Sequence, residues 1–445
     1  MAAWLRAPMA LERRRAAASP RLAAWGVCEA RPDPVHPAEI LAWHERRRLR
    51  ARRACLGLLL WPALGGTGFA PGPGAVASSQ PERRAGRVIK VGPAREVKSL
   101  AQASRSAGNG DTLEVDAGDY AGDCAVWTQD RLTIRASGGR VRLLADGRHA
   151  EGKGIWVARG GEMQVEGIDF SGARVASRNG AGIRFKRGRL ILRDCGFFDN
   201  ENGILTAGDP AAELEITGCE FGHNGFGDGY SHNLYVGPIG KLTVSGSYFH
   251  HARVGHLLKS RAAENHILYN RLTDEEGGRA SYELEFPNGG IARVLGNIIG
   301  QGARTENPVL VSYGAEGYSA RRNALYLVNN TLVDDRVEGG VFLAVKAGDR
   351  TLLAINNLLL GTASLESAGA GDYRNNLFIA RGDCVDAERH DCRLRGSSAF
   401  VGRALRIEAQ GGFDLAPRME YAHPRRTRPI AARVLQPGAL QVTGD

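Results

Sequence analysis

Six of the eleven histidines in this 445-residue chain fall between positions 223 and 266: His223, His232, His250, His251, His256 and His266. Tyr235, Lys259 and Arg261 share that stretch, Glu283 and Glu285 follow it, and Tyr313 stands further on. Imidazole, phenol, ammonium and carboxylate are the groups that move protons near neutral pH, so acid–base chemistry is expected here. Lys259, close to the second cation Arg261, can have its pKa lowered enough to act as a base. Arg261 can instead neutralise an acidic substrate, and Tyr235 or His232 can give a proton to a leaving oxygen. Glu283 and Glu285 offer oxygen ligands to a calcium ion. At i and i+2 on one strand, about 6–7 Å apart, they also fall in the range of an inverting glycoside-hydrolase pair. His256 and Tyr313 are candidates for substrate contact. Plainer readings stand beside these. A Lys among Glu residues on neighbouring strands is commonly a solvated ion pair, His250-His251 reads as a surface turn, His232 as an inward hydrogen-bonded residue and Tyr235 as strand surface.

These residues lie on segments with strand periodicity. Ser231–Val236, Gly255–Arg261, Ser281–Phe286 and Pro308–Tyr313 recur at similar intervals. If they are neighbouring strands of one sheet, about 4.8 Å apart, outward residues at matching positions form a column. Tyr235, Lys259, Glu283, Glu285 and Tyr313 are then expected in one patch roughly 15–20 Å long, a shape that suits an extended chain such as a polysaccharide.

The interval is part of a repeat. Aligned segments place Ile168, Cys195, Cys219, Ser247, Asn270, Asn297, Asn330, Asn357 and Asn376 in one column. Phe170, Phe197, Phe221, Phe249, Leu272, Ile299, Leu332, Leu359 and Phe378 fill another, two residues on. Two inward columns separated by one outward residue are the mark of a strand. A period near 25 residues without long helical patterns is one coil of a solenoid. The fold expected is all-β: a right-handed parallel β-helix, closed at its start by a short capping helix over Arg95–Ala107 that leads into the strand Gly110–Tyr120. Cys195 and Cys219 then read as neighbouring buried rungs rather than a disulfide.

The capping segment, the Asn and Phe columns and the closing Ser398–Val401 and Phe413–Pro417 segments resemble the pectin-lyase-like superfamily of β-helix proteins over about residues 87–417. Lys259-Ser260 with Asn265 and Asn270 is similar to the K-S-x-x-N-x-x-x-x-N signature of the alginate lyase and chondroitinase B family. The two Asn keep that family's spacing, whereas Lys259 stands six residues before Asn265 and Arg261 occupies the four-before position. The resemblance implies an acidic, uronate-containing polysaccharide as substrate and β-elimination or C5 epimerisation as the reaction. The base is then Lys259 or a neighbour; the family's acid, an Arg on the next coil, has no counterpart, because that coil offers Glu283 and Glu285. Inverting hydrolysis and non-catalytic glycan binding or adhesion are the alternatives.

Composition bounds the rest. Glycine supplies 59 residues, about twice ordinary usage, consistent with many tight turns. The net charge of +10 suggests nucleic acid only until it is located. Residues 1–84 hold 14 Arg and 6 acidic residues, a balance of +8, so the other 361 residues are nearly neutral and a nucleic-acid partner is not expected. Residues 1–45 read as a disordered extension. Residues 46–86 read as a signal-like segment and linker: Arg46–Arg53, the apolar Ala54–Leu64 and the A-x-A exit Ala75–Ala77. The apolar run is too short to span a membrane. The expectation is an exported monomer, periplasmic or secreted, with the β-helix and its N-terminal cap at 87–400 and a C-terminal cap and tail at 401–445. Cys384 and Cys392 form a candidate disulfide in an oxidising compartment.

Overall fold

The computed structural model describes residues 86–305, 307–365, 370–431 and 435–441. The expected N-terminal extension and export signal lie outside those residues. Among the described residues, no helix is long and apolar enough to cross a membrane.

The chain is a parallel β-solenoid. Each coil contributes strands to a large sheet of 21 strands and one strand to a nine-stranded sheet, all paired in parallel with the coils before and after. Its alternation follows the sequence: Lys241–Ser245 and Glu213–Thr217 bury every second residue, with Leu242, Val244, Leu214 and Ile216 inward. The aromatic column fills the interior. Phe170, Phe197, Phe221 and Phe249 stack with centroids 4.6–5.1 Å apart and rings within 11° of parallel. Trp156 and Trp127 continue the column by edge contacts toward the first coil.

The polar column is a hydrogen-bonded ladder. The backbone N–H of Ser247 donates to Asn270 Oδ1, that of Asn270 to Asn297, Asn297 to Asn330, and Asn330 to Asn357, all at 2.8–2.9 Å. Each Asn side chain also donates to a buried carbonyl, as Asn297 does to Ile267 O at 2.8 Å. Buried turns thus satisfy backbone groups that strand pairing leaves free. Cys195 and Cys219 occupy earlier rungs as buried free thiols. A second interior ladder, Asn200–Asn224–Asn233, joins two coils and reaches a third where Asn233 donates to His250 O.

The capping helix, expected over Arg95–Ala107, is confined to Leu100–Ser106. Ser99 caps it, and the carboxylate of Asp123 accepts from the N–H groups of Leu100 and Ala101 at 2.6 and 2.7 Å. Leu100 and Ala103 seal the open end of the core. The residues before 99 stay extended and turn-like because Gly92, Pro93 and the bridge from Val91 to Val97 hold them beside the first strand.

Parallel pairing ends with Leu377–Ile379. An antiparallel hairpin, Cys384–Asp386 with Asp391–Leu394, follows. Cys384 and Cys392 are buried neighbours in it and remain free thiols rather than the disulfide expected. A second hairpin, Met419–Ala422 with Arg426–Pro429, folds back along the large sheet, where Arg418 N–H donates to Tyr269 Oη and Ala439 N–H to Thr331 Oγ1.

Candidate active site

The nine-stranded sheet carries the candidate residues. Its register places Arg184, Leu205, Tyr235, Lys259, Glu285 and Ser312 in one outward column on successive coils. Tyr235, Lys259 and Glu285 are therefore brought together as expected. Glu283 and Tyr313 are not. Glu283 falls in the inward column between Leu257 and Leu310, and Tyr313 in the inward column with Ser260 and Phe286. The period-two argument fails at Glu283 because that residue precedes the strand Leu284–Phe286, where the backbone is still turning. Tyr313 is in phase with Ser260 rather than Lys259, one residue off the assumed alignment. Its hydroxyl donates to Gly290 O at 2.6 Å, a structural contact.

Glu283 is fully enclosed, and neither carboxylate oxygen has a hydrogen-bond partner. Burial, reinforced by Asp274, pushes its pKa well above the usual carboxylate range and favours the neutral acid. The two carboxylates expected to share calcium, or to flank a glycosidic bond, thus lie on opposite sides of the sheet. They form neither a ligand set nor a hydrolytic pair.

Four groups around Lys259 make the site. Its Nζ is 2.9 Å from Glu285 Oε2, an ion pair that lacks hydrogen-bond alignment, and donates to Glu316 Oε1 at 3.4 Å. Arg261 grips Glu316 with two nitrogens, at 2.7 and 2.9 Å, donates from Nε to Tyr235 Oη at 2.9 Å, and also bonds Asn288 Oδ1. Burial disfavours the Arg261 charge, but Glu316 and Tyr235 outweigh it and raise its pKa. Glu316 in turn is held below the usual carboxylate range, first by its hydrogen bond to Arg261. The Glu316 side chain is 46% exposed, on the loop after the strand Val309–Tyr313.

Two imidazoles floor the site. His232 and His256 stack at 4.4 Å, and Tyr235 lies over His232 at 5.5 Å. The N–H of His256 donates to His232 Nδ1 at 2.9 Å, which leaves the proton of neutral His232 on Nε2. Burial, then the cations Lys259 and Arg261, push the His232 pKa down to about 3. The same causes, with His232 itself second after burial, hold His256 well below its ordinary value. Both rings are neutral at working pH, and His232 can donate a hydrogen bond but cannot accept a proton there. His256 is buried, so it forms the wall of the site rather than its surface, with Tyr282 against it at 4.9 Å.

The residues similar to a lyase signature divide by role. Ser260 Oγ donates to Asn265 Oδ1 at 2.5 Å, Asn265 donates to Ala262 O, and Asn270 is a ladder rung. Ser260 and Asn265 hold the turn after the strand and Asn270 holds the next turn of the same coil; only Lys259 and Arg261 face outward. Glu316 and Asn288 were not singled out from the sequence. Asn288 carries a local signal, the Pro287-Asn288-Gly289-Gly290 turn directly after a candidate strand. Glu316 lies in the loop Gly314–Gly317, where no periodicity marks it.

Among solved structures, the crystal structure of pectate lyase Pel9A superposes on this chain with a TM-score of 0.51 at 11% sequence identity, covering 80% of this chain and 96% of that one. This chain has the pectin-lyase-like parallel β-helix fold. At that identity the likeness extends to the coil architecture alone. The sequence matches no protein-family profile and no curated protein.

Proposed function

We propose that the outward face around Lys259 acts on an acidic polysaccharide, removing the C5 proton of a uronate and ending in β-elimination or C5 epimerisation. The observation that carries this reading is the pair of cations, Lys259 and Arg261, gathered on the exposed carboxylate of Glu316 beside the Tyr235 hydroxyl. A carboxylate already sits where a substrate carboxylate would be neutralised, and a uronate entering the site takes the place of Glu316. Neutralisation is what the chemistry needs, because a C5 proton next to an ionised carboxylate is only weakly acidic.

Lys259, as the free amine, then takes the C5 proton, and the ammonium that results lies 2.9 Å from the Glu285 carboxylate. The C5–H electron pair becomes the C4–C5 double bond, and the C4–O bond breaks with its electrons leaving on oxygen. Tyr235 accepts a hydrogen bond from Arg261, so its own proton is free to go to that oxygen. In epimerisation the same abstraction is followed by return of a proton to C5 on the opposite face, with no bond to C4 broken. No step runs through calcium, since Glu283 and Glu285 do not converge. Exposed Tyr230 and Phe226, in the loop preceding His232, offer faces for sugar rings. The reading places the protein outside the cytoplasm, where its expected leader would send it.

The test is a panel of polyuronates and neutral glycans, followed by near-ultraviolet absorbance and by reducing ends. Unsaturated product from a polyuronate, abolished by Lys259→Met and Tyr235→Phe in variants that keep the parent melting temperature within a few degrees, is the expected result. Reducing ends without unsaturation would replace this reading with hydrolysis. Binding without any turnover or C5 inversion would leave a glycan-binding module.

A further inference from the structure

We propose that His223, His250 and His251 bind a late first-row transition-metal ion, zinc above all, with a fourth coordination position left to solvent. These residues lie on the large sheet's side of the coils and take no part in the proposed polysaccharide site. Their ligand nitrogens all lie within 4.8 Å of one another, the one such His, Cys or carboxylate group among the described residues.

The hydrogen bonds fix where the protons are. His251 Nε2 is 3.2 Å from the carbonyl oxygen of Glu276, which can only accept, so Nε2 carries the hydrogen. His250 Nε2 faces the Glu220 carboxylate at 3.4 Å and likewise donates. Where both rings are neutral, their Nδ1 atoms are bare lone pairs, and they point at each other 2.8 Å apart. Two facing lone pairs at that distance repel unless they share a cation. A carboxylate or backbone carbonyl on the far nitrogen of each ring is the arrangement that orients metal-bound histidines and raises their basicity. Tetrahedral zinc with Zn–N bonds of about 2.0–2.1 Å sets its nitrogens roughly 3.3 Å apart, so the rings need open by only about half an ångström.

The coils build the third ligand. Phe221 pairs with Phe249 and Gly222 with His250, so His223 and His251 are consecutive rungs of one column, and their rings stack at 4.6 Å. Both sit at left-handed corners, φ 57° and 46°, a conformation uncommon for residues with a side chain. Gly222 has a specific part in this. A Cβ there would stand 2.3 Å from His250 Cε1, so glycine leaves the space that the buried imidazole fills. Three imidazole nitrogens suit zinc, copper or nickel rather than calcium or magnesium. His223 is exposed and His251 borders a cleft of about 1320 Å³ also lined by Arg271, Glu275 and His390, so water or an anionic ligand can reach the ion.

The test uses the full chain, stripped with chelator and titrated with Zn²⁺ against a chromophoric competitor, then with Co²⁺. One equivalent should bind, and Co²⁺ should give the intense visible bands of four-coordinate geometry. His223→Asn and His251→Asn keep a residue that tolerates the left-handed corner and should each weaken binding by about 100-fold or more, while Glu220→Gln should weaken it by about 10-fold. Melting curves of the stripped proteins establish that the variants fold. Absence of stoichiometric binding by the parent would overturn the proposal, as would binding unchanged in both Asn variants. So would a stable shared proton between the two Nδ1 atoms, detected by nitrogen NMR and undisturbed by excess Zn²⁺.

Discussion

Replacing Glu316 by Ala tests whether this carboxylate stands where the substrate's belongs. In the free protein Glu316 receives two hydrogen bonds from Arg261 and one from Lys259. Its side chain is 46% exposed, so solvent screening places the contacts at the value of an exposed pair, about 0.4–1 kcal/mol. A uronate must displace that carboxylate before it can bind. Removing the competitor should therefore lower KM for an acidic polysaccharide by about 2- to 5-fold, the same energy expressed as a ratio. The kcat should stay within about 2-fold, because Glu316 makes no contact peculiar to the transition state. Initial rates from the near-ultraviolet product signal, at fixed ionic strength, measure both. Added salt should narrow the difference from the parent, since it screens the pair in both proteins. A raised KM, or a kcat that collapses while the melting temperature holds, would refute the substitution argument and make Glu316 part of the chemistry.

Phe221→Ala should cost about 3–5 kcal/mol by denaturant unfolding, because the ring is stacked on both sides, at 4.7 and 4.6 Å, and the solenoid cannot close the gap. Asn297→Leu should cost about 1–3 kcal/mol, since Asn270 N–H and Ile267 O lose their partner; no change would mean the ladder is dispensable. Glu283→Leu should gain about 1–3 kcal/mol, because it removes two unpaired buried oxygens at a position flanked in register by Leu257 and Leu310; destabilisation would show that the acid has a hidden partner. His232 has a folded pKa of about 3 against about 6.5 when unfolded, so the unfolded chain binds its proton first as pH falls. Its contribution is full above about pH 6.5 and drains away toward pH 3, so the acid-side loss of stability should be shallower in His232→Asn than in the parent, and equal slopes would contradict its buried, neutral state.

The fold was legible because the solenoid repeats its hardest requirements. Asn270, Asn297, Asn330 and Asn357 recur because every coil must satisfy the same buried backbone groups, and Phe170 to Phe249 because every coil adds one layer to the same interior. The site was legible only where a side chain lay inside a regular strand. Tyr235, Lys259 and Glu285 kept the phase of the sheet and met as expected. Glu283, one residue before its strand, and Tyr313, one position out of alignment, turned inward. Glu316 comes from a loop whose return to the sheet depends on tertiary contacts with Arg261. The extent of the cap helix escaped for a similar reason, since Asp123, from the far side of the first coil, fixes its start at Ser99. The histidine cluster was visible as a count, but its geometry was not. His223 and His251 look unrelated until the coils bring them into stack, and His250-His251 alone reads as a turn.

The most direct measurement of the central claim is hydrogen exchange at C5. A polyuronate that binds the protein is incubated with it in deuterium oxide, and the recovered sugar is read by NMR. Abstraction by Lys259 predicts deuterium at C5 of turned-over or residual uronate, or loss of that proton into an unsaturated residue, and neither with Lys259→Met. Cleaved or bound uronate that retains its C5 proton throughout would contradict the account.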